Sequence, residues 1–371
     1  MAWRQTVLLS GVLGAVVLLG VGCPRRGGEG PTPLPPGGVY RSDDGGVTFN
    51  QKSRAAEGGD LTQVTPREVL VDPFDPATLY IAADSFGLLR SRDAGEQWEQ
   101  VATPTAVVTS VAVHPRNPNI LTIAGAAQDT PDRSKIWKTF DRGETWQEIY
   151  AEAIGGRTVE GGIFRLRRTT RTAVMTLGVD PRSPEVLYAG SSSGALIAST
   201  DGGSTWSTRR SFAGGITGLK ISPGISGRIF VRLVDGALGR SDDGGRTAKR
   251  LTVQKGTTVA STVYALLLPP KEQGTVLAGT DRGLFRSRDA GETWDIVPLP
   301  VSENQRVQIS TVAQGLDGVL WAGSNFNIYS SKDGGSTWRV QQFAFANPIR
   351  FILTDPVNPQ RVYAFFLPAT V

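Results

Sequence analysis

The chain contains few of the residues that build metal and redox centres. Its 371 residues include one cysteine, Cys23, one histidine, His114, and two methionines. A single thiol cannot form a disulfide within the chain, and no cluster of His, Cys and carboxylates has the spacing of a metal site. The phosphate-loop pattern Gly-x-x-x-x-Gly-Lys-Ser/Thr is absent as well. The sequence therefore predicts neither a metal nor another cofactor.

Long hydrophobic runs are missing except at the amino terminus. Arg4 precedes an apolar run of about 15 residues, from Val7 to Val21, which is short for a membrane span and typical of an export signal. The following Gly20-Val21-Gly22-Cys23 resembles the bacterial lipoprotein signal, in which cleavage before the cysteine exposes it for lipid attachment. We expect residues 1–22 to be such a signal peptide and Cys23 to be lipidated. The alternative is ordinary signal cleavage that leaves an unpaired thiol.

The segment after Cys23 is rich in Pro and Gly. It reads PRRGGEGPTPLPPGG and has no apolar periodicity, so we expect residues 23–37 to form a lipidated tether. Residues 38–371 are expected to form the folded domain. The protein is thus predicted to be extracytoplasmic and lipid-anchored to a bacterial membrane.

One octet, Ser/Thr-x-Asp-x-Gly-x-Thr-Trp, recurs through the folded part. Its aspartates lie 42 to 60 residues apart and are Asp44, Asp93, Asp141, Asp201, Asp243, Asp289 and Asp333. The carboxylate can accept backbone N–H groups across a turn, and the glycine supplies positive φ. A period in the forties is the size of one four-stranded propeller blade. Because seven equivalent turns cannot all be one active site, we assign these aspartates a structural role.

The two ends of the folded part complement each other. Between octets the chain repeats an apolar strand, a Pro-containing turn and a second apolar strand. The last such unit, 351–366, has no octet after it, and the first octet, in 38–54, has no inner strands before it. Joining them removes two exposed sheet edges. We predict an all-β, seven-bladed β-propeller with four-stranded blades, in which both termini close the last blade.

The octets are the Asp boxes, or BNR repeats, of sialidases, sortilin-type receptors, some glycoside hydrolases and photosystem II assembly factors. Residues 38–366 resemble this group, and the overall match to photosystem II assembly factors is the closest within it. That resemblance implies a non-enzymatic scaffold that holds other proteins at a membrane. The Asp-Pro turns at Asp72, Asp180 and Asp355 depart from it and resemble sortilin-like bacterial propellers. His114 stands at the same repeat position, which indicates a substitution within a turn and not a catalytic residue.

Positive charge is concentrated in one sector. Residues 157–255 contain 16 Lys or Arg against 7 Asp or Glu, a balance of +9, whereas the whole chain is +5. The 60-residue step after Trp146 carries many of these arginines. We predict a partner-binding surface at Arg157, Arg165, Arg167, Arg168, Arg171, Arg209 and Arg210. Its expected partner is an anionic protein segment or membrane protein, with a glycan as an alternative and no nucleic acid. A solvated surface without a ligand is the other interpretation.

The main functional hypothesis is therefore a protein-binding or assembly scaffold that is not an enzyme and has no catalytic residues. The alternative is a carbohydrate-binding surface protein or a glycoside hydrolase of the sialidase-like kind. Sialidases carry an arginine triad and a Phe/Tyr-Arg-Ile-Pro motif, and Phe164-Arg165-Leu166-Arg167 lacks its proline. Other Asp-box glycosidases place paired carboxylates between two propellers, and this chain has room for one. No such pair is evident in the sequence.

Overall fold

The computed structural model describes residues 37–126, 133–151, 172–301, 306–325, 327–343 and 347–368. These ranges contain thirty β-strands and no helix. The strands form seven four-stranded sheets and one two-stranded hairpin. The predicted all-β fold with seven four-stranded blades is confirmed.

Each blade is an antiparallel meander that runs from an inner strand to an outer strand. The amino-terminal strands are β1 (Gly38–Ser42) and β2 (Asn50–Gln51). Blade 1 contains β3 (Pro66–Val71), β4 (Leu79–Ala83), β5 (Gly87–Ser91) and β6 (Glu99–Val101). Blade 2 contains β7 (Val108–Val113), β8 (Leu121–Ala126), β9 (Ser134–Thr139) and β10 (Gln147–Ala151). Blade 3 contains β11 (Val174–Val179), β12 (Leu187–Ser191), β13 (Ala195–Ser199) and β14 (Ser207–Ser211).

The remaining blades follow the same order. Blade 4 contains β15 (Ile216–Ile221), β16 (Ile229–Leu233), β17 (Leu238–Ser241) and β18 (Lys249–Leu251), followed by the hairpin β19 (Gln254–Lys255) and β20 (Thr258–Val259). Blade 5 contains β21 (Val263–Leu267), β22 (Val276–Thr280), β23 (Gly283–Ser287) and β24 (Asp295–Val297). Blade 6 contains β25 (Thr311–Gln314), β26 (Leu320–Ser324), β27 (Asn327–Ser331) and β28 (Arg339–Gln342).

Both termini build blade 7. Its inner strands are β29 (Ile349–Thr354) and β30 (Val362–Phe366), and the strand order is β2-β1-β30-β29. Strand β1 pairs with β30 along its whole length, from Gly38 opposite Phe366 to Ser42 opposite Val362. The predicted closure is thus confirmed. It leaves no unpaired edge on β30, which would otherwise be a site for association with other chains.

The core lies between neighbouring blades. The second strand of a blade is sandwiched by its neighbours on both faces, so every residue of β4, β12, β22, β26 and β30 is buried. The space between blades is tight at the ends of β4, β12, β22 and β26, which explains the small residues there. A Cβ at Gly190 would lie 2.4 Å from Ile216 Cγ2 of the next blade. A methyl group there would force the blades apart, because protein interiors are close-packed.

Candidate functional site

Six of the seven Asp-box carboxylates accept hydrogen bonds from their own turns with both oxygens, and Asp93, whose box has Gln97 in place of the threonine, does so with Oδ1. In blade 3, Asp201 Oδ1 accepts the Thr205 N–H at 2.8 Å and the Ser199 hydroxyl at 2.7 Å, while Oδ2 accepts the Thr205 hydroxyl at 2.6 Å. These bonds hold the pKa of Asp141, Asp201, Asp243 and Asp289 at about 2. The glycine that follows has positive φ in every box, as the octet predicts. Such groups have little capacity left for a substrate.

Many of the basic residues hold one blade to the next. In five blades, the side chain of the basic residue before the box serine or threonine donates a hydrogen bond to the carbonyl of the fourth box residue in the following blade. These contacts, called latches below, are Arg41 to Ala94, Arg90 to Arg142, Lys138 to Gly202, Arg240 to Ala290 and Arg286 to Gly334, all at 2.7–2.9 Å. The box tryptophans complement them by donating to the preceding blade, as Trp98 Nε1 does to the Lys52 carbonyl at 2.8 Å. These five basic residues therefore have a structural role.

His114 has the turn-forming role that its repeat position indicates. Its Nδ1 accepts the Arg116 N–H at 3.1 Å, as Asp72 Oδ1 accepts the Phe74 N–H at 2.9 Å. An acceptor nitrogen requires the neutral ring. Burial lowers the pKa of His114, and the positive charge of Lys138 lowers it further, which favours that form.

The predicted partner-binding arginines are only partly within the described residues. Arg209 and Arg210 lie on β14, the outer strand of blade 3, where the Arg210 guanidinium carbon is 5.7 Å from the centroid of the Phe212 ring. The other five, Arg157, Arg165, Arg167, Arg168 and Arg171, lie outside the described residues, as does Cys23. A surface formed by all seven stays a prediction.

A central channel is the site that the fold builds most directly. A cavity of about 200 Å³ is lined by side chains from all seven inner strands and by Arg232. In six of these strands the pairing register shifts at the second residue, which is a β-bulge. Arg67 and Tyr264 occupy this second position and line the cavity, and Arg350 has the same position in blade 7, so we call this end of the channel the mouth.

The residue after the bulge is the third position when the inner strands are aligned, and Thr311, at which β25 begins, has this position in blade 6. Side chains at this position join the inner strands to one another. Ser110 Oγ accepts the Leu177 N–H of the next blade at 2.9 Å, and Thr311 Oγ1 accepts the Ile352 N–H at 3.1 Å. Glu68 has the same position in blade 1 and accepts the Val111 N–H at 3.0 Å. It differs from the others in carrying an acid group into the channel.

Glu68 is the only carboxylate that lines this cavity among the described residues. Its Oε2 accepts the Val111 N–H and the Ser110 hydroxyl, which leaves Oε1 for a bound molecule. Burial raises the pKa of Glu68 above its usual value, although these hydrogen bonds and the nearby Lys220 act in the opposite direction. A carboxyl group that holds its proton to higher pH is suited to donate it to a leaving group.

Glu68 was missed in the sequence, although a signal was present. The residues at the third position of the other inner strands are Ser110, Thr176, Gly218, Ala265, Thr311 and Phe351. None of them is charged. A residue-by-residue alignment of the seven inner strands would have singled out Glu68, whereas a search for acids close together in the sequence does not.

Arginines surround the mouth of the channel. Arg67 binds Asp84 with two nitrogens, Nε at 2.8–2.9 Å and Nη2 at 2.7 Å. Arg232 donates from Nε to the Thr217 hydroxyl at 3.3 Å and from Nη2 to the Thr217 carbonyl at 3.2 Å. Arg350 lies with its guanidinium carbon 5.3 Å from the centroid of the Phe351 ring. Within the described part of the chain, neither Arg232 nor Arg350 forms an ion pair.

The described ranges contain no group of three or more His, Cys, Asp or Glu arranged to hold a metal ion. They also contain no helix with the length and hydropathy needed to cross a membrane.

Seven four-stranded sheets around one channel, each with an Asp box on its outer hairpin, define an Asp-box β-propeller. A family model for sortilin, neurotensin receptor 3 (Sortilin-Vps10) matches residues 37–161. The solved structure of YCF48 bound to D1 peptide is similar at a TM-score of 0.55 and 16% identity, covering 80% of this chain and 96% of that one. The predicted likeness to sortilin-like and assembly-factor propellers is confirmed at this level.

Two xyloglucanases are also similar to the chain. Xgh74A of Acetivibrio thermocellus is 27% identical over 304 residues, which cover 70% of this chain and 35% of that protein. The GH74 xyloglucanase from Xanthomonas campestris has a TM-score of 0.62 at 18% identity, covering 82% of this chain and 51% of that chain. The chain therefore spans about a third of the length of the curated relatives it matches.

These relatives overturn the hypothesis of a non-enzymatic scaffold. Xyloglucanases are glycoside hydrolases, so the main functional hypothesis and the expectation that the protein is not an enzyme are both wrong, and the similarity favours the glycoside hydrolase alternative. The error has a physical origin. A propeller assembles its channel from residues that are tens of positions apart, so its acids are not close to one another in the sequence.

Proposed function

We propose that the protein is a glycoside hydrolase that takes a polysaccharide chain end or branch into the mouth of its central channel. The observation that carries this proposal is Glu68, a carboxyl group with a raised pKa in a cavity to which all seven blades contribute. Glycosidases use such a group to protonate the departing glycosidic oxygen. The similarity to xyloglucanases supports the reaction class and names xyloglucan as the first substrate to test.

A second carboxylate is required for this chemistry. It activates water or attacks the sugar from the opposite face, at about 5 to 9.5 Å from the acid. Asp84 follows β4, the strand that pairs with the strand of Glu68, and Arg67 holds it with two nitrogens. We assign Asp84 this second role. The two side chains differ in their surroundings, since Glu68 lines the channel and Asp84 is ion-paired with Arg67.

The cavity lining provides contacts for a sugar ring. Tyr264 and Phe351 line the same cavity as Glu68, and both side chains are half-buried. Aromatic rings pack against the C–H faces of sugars, and the Thr109 hydroxyl, which donates its proton to the Val174 carbonyl at 2.7 Å, can accept a hydrogen bond from a sugar hydroxyl.

The direct test is the release of reducing ends from xyloglucan and other β-glucans by the purified full chain. We expect Glu68→Gln to lower kcat by at least about 100-fold, because it cannot donate a proton, and Asp84→Asn to lower it similarly. Glu57→Gln, which changes an exposed glutamate, is the matched control and should have no effect.

Binding of each polysaccharide is measured in parallel by affinity gel electrophoresis. A wild-type protein that cleaves no glycoside, or a Glu68→Gln variant with unchanged kcat, would contradict the proposal. Retained binding with lost turnover in Glu68→Gln separates a chemical role from a defect in folding.

A further inference from the structure

The mouth of the channel carries more positive charge than its described carboxylates balance. Arg67 is paired with Asp84, and inside the channel Lys220 is near enough to lower the pKa of Glu68. Arg232 and Arg350 are left without an acidic partner among the residues that the structure describes. Two guanidinium groups in one concave site are costly to hold without a counter-charge.

Arg232 is held in a fixed orientation. Its two bonds to Thr217 fix Nε and Nη2, and its guanidinium lies against Gly218, where a Cβ would be 3.2 Å from Nη2 and 3.3 Å from Nε. A side chain at this position would press against the guanidinium. Its Nη1 makes no hydrogen bond within the described ranges, so it can donate to a ligand. A guanidinium fixed in this way loses little side-chain freedom when it binds an anion.

Arg350 stands close to Arg232 and is open to solvent. Burial lowers the pKa of Arg232 to about 10, and the charge of Arg350 adds to this effect. The pKa of Arg350 is lowered by the surrounding protein and then by the charge of Arg67. Its side chain is nevertheless exposed, as expected at the mouth of the channel, and a ligand can reach it from solvent.

We propose that Arg232 and Arg350 bind the carboxylate of an acidic sugar residue, so that the substrate of this chain is an acidic glycan. This inference rests on the proposed glycosidase function, which supplies the sugar. A planar carboxylate fits the forked donors of arginine with paired hydrogen bonds. The aromatic rings of Tyr264 and Phe351 are in position to pack against the sugar that carries it. The specificity therefore differs from that for an uncharged glucan.

The test compares two oligosaccharides that differ in one group. Isothermal titration calorimetry measures binding of a cello-oligosaccharide whose non-reducing residue is glucuronic acid, and of the matching oligosaccharide that ends in glucose. We expect the acidic ligand to bind at least about tenfold more tightly at low salt, since charge-assisted pairs are strong and salt weakens them. Arg350→Gln should abolish this preference, and Arg350→Lys should restore part of it.

A matched control and a second variant distinguish the loss of a guanidinium group from a defect in folding. Arg339→Gln removes an exposed arginine from the outer strand β28 and should leave the preference unchanged. Arg232→Gln should reduce it at least as much as Arg350→Gln, with the melting temperature recorded beside it. Inorganic sulfate and a short peptide with a free terminal carboxylate are tested as competing anions.

The outcomes separate the two proposals. Equal affinity for both oligosaccharides, or an unchanged preference in Arg350→Gln, would overturn the acidic-glycan assignment even if xyloglucan is cleaved. Tighter arginine-dependent binding of sulfate or of the peptide would overturn it as well. Arginine-dependent preference for the acidic sugar without hydrolysis of any glycoside would support the binding assignment and reject the catalytic one.

Discussion

Closure of the ring by the amino-terminal strand can be tested by truncating one side chain. Tyr40 on β1 is fully buried and packs edge-on against Phe366 of the carboxyl-terminal strand, with ring centroids 5.1 Å apart and an interplanar angle of 77°. Burial raises its pKa to about 12. Large-to-small changes at such aromatic sites cost about 3–5 kcal/mol, and aromatic pairing adds about 0.5–1.5 kcal/mol.

We expect Tyr40→Ala to lower the free energy of unfolding by about 3–5 kcal/mol. That is a large share of the roughly 5–15 kcal/mol that stabilises a typical domain. The assay is urea denaturation followed by tryptophan fluorescence. Val340→Ala is the control, because Val340 lies on an outer strand, is 44% exposed and should change the free energy little.

Deletion of residues 1–54 extends the test to the whole strand. It would strip the partner from β30, whose Phe365 and Phe366 are buried, so we expect aggregation visible by light scattering. An unchanged midpoint for Tyr40→Ala, or a monomeric deletion variant with the original melting temperature, would refute the closure argument.

Three further predictions concern the latches, the Asp boxes and Glu68. Arg90→Met should lower the free energy of unfolding, measured by chemical denaturation, by about 1.5–3 kcal/mol, because it removes a buried charged donor. The control is Arg92→Met, at an exposed arginine that also pairs with Glu99, which should lower it by under about 0.5 kcal/mol. The Asp boxes stabilise the fold fully above the unfolded pKa of 3.8, so the melting temperature should fall as pH drops from about 4 through 2; a flat profile contradicts this. Hydrolysis should decline as pH rises through the raised pKa of Glu68, so the basic limb of kcat/KM should lie above 4.5, and its absence argues against Glu68 as the acid.

The fold could be predicted because its determinants are local and repeated. Each Asp box specifies one turn by itself, as the bonds of Asp201 to Ser199 and Thr205 illustrate. Seven copies at a nearly constant spacing fix the number of blades, and the incomplete units at the two ends predict the closure that pairs Gly38 with Phe366.

The site could not be predicted in the same way because its residues are near only after the ring closes. Glu68 in blade 1 and Lys220 in blade 4 are three blades apart in sequence and line one channel. Counting charge was also a poor guide to binding. It does not distinguish Arg240, which donates to the Ala290 carbonyl of the next blade, from Arg350, which makes no ion pair in the described ranges.

The latches divide the ring unevenly. At the junctions from blade 3 to blade 4 and from blade 6 to blade 7, the latch position is occupied by Ala198 and Ser330. The facing fourth box residues there are Gly244 and Gly45, which adopt positive φ without strain. At three of the latched junctions the fourth box residue is instead Ala94, Arg142 or Ala290. Each of them adopts positive φ, which is unfavourable for a residue with a side chain. Hydrogen exchange of backbone amides should therefore be fastest at these two junctions. The propeller should separate there into arcs of three and four blades.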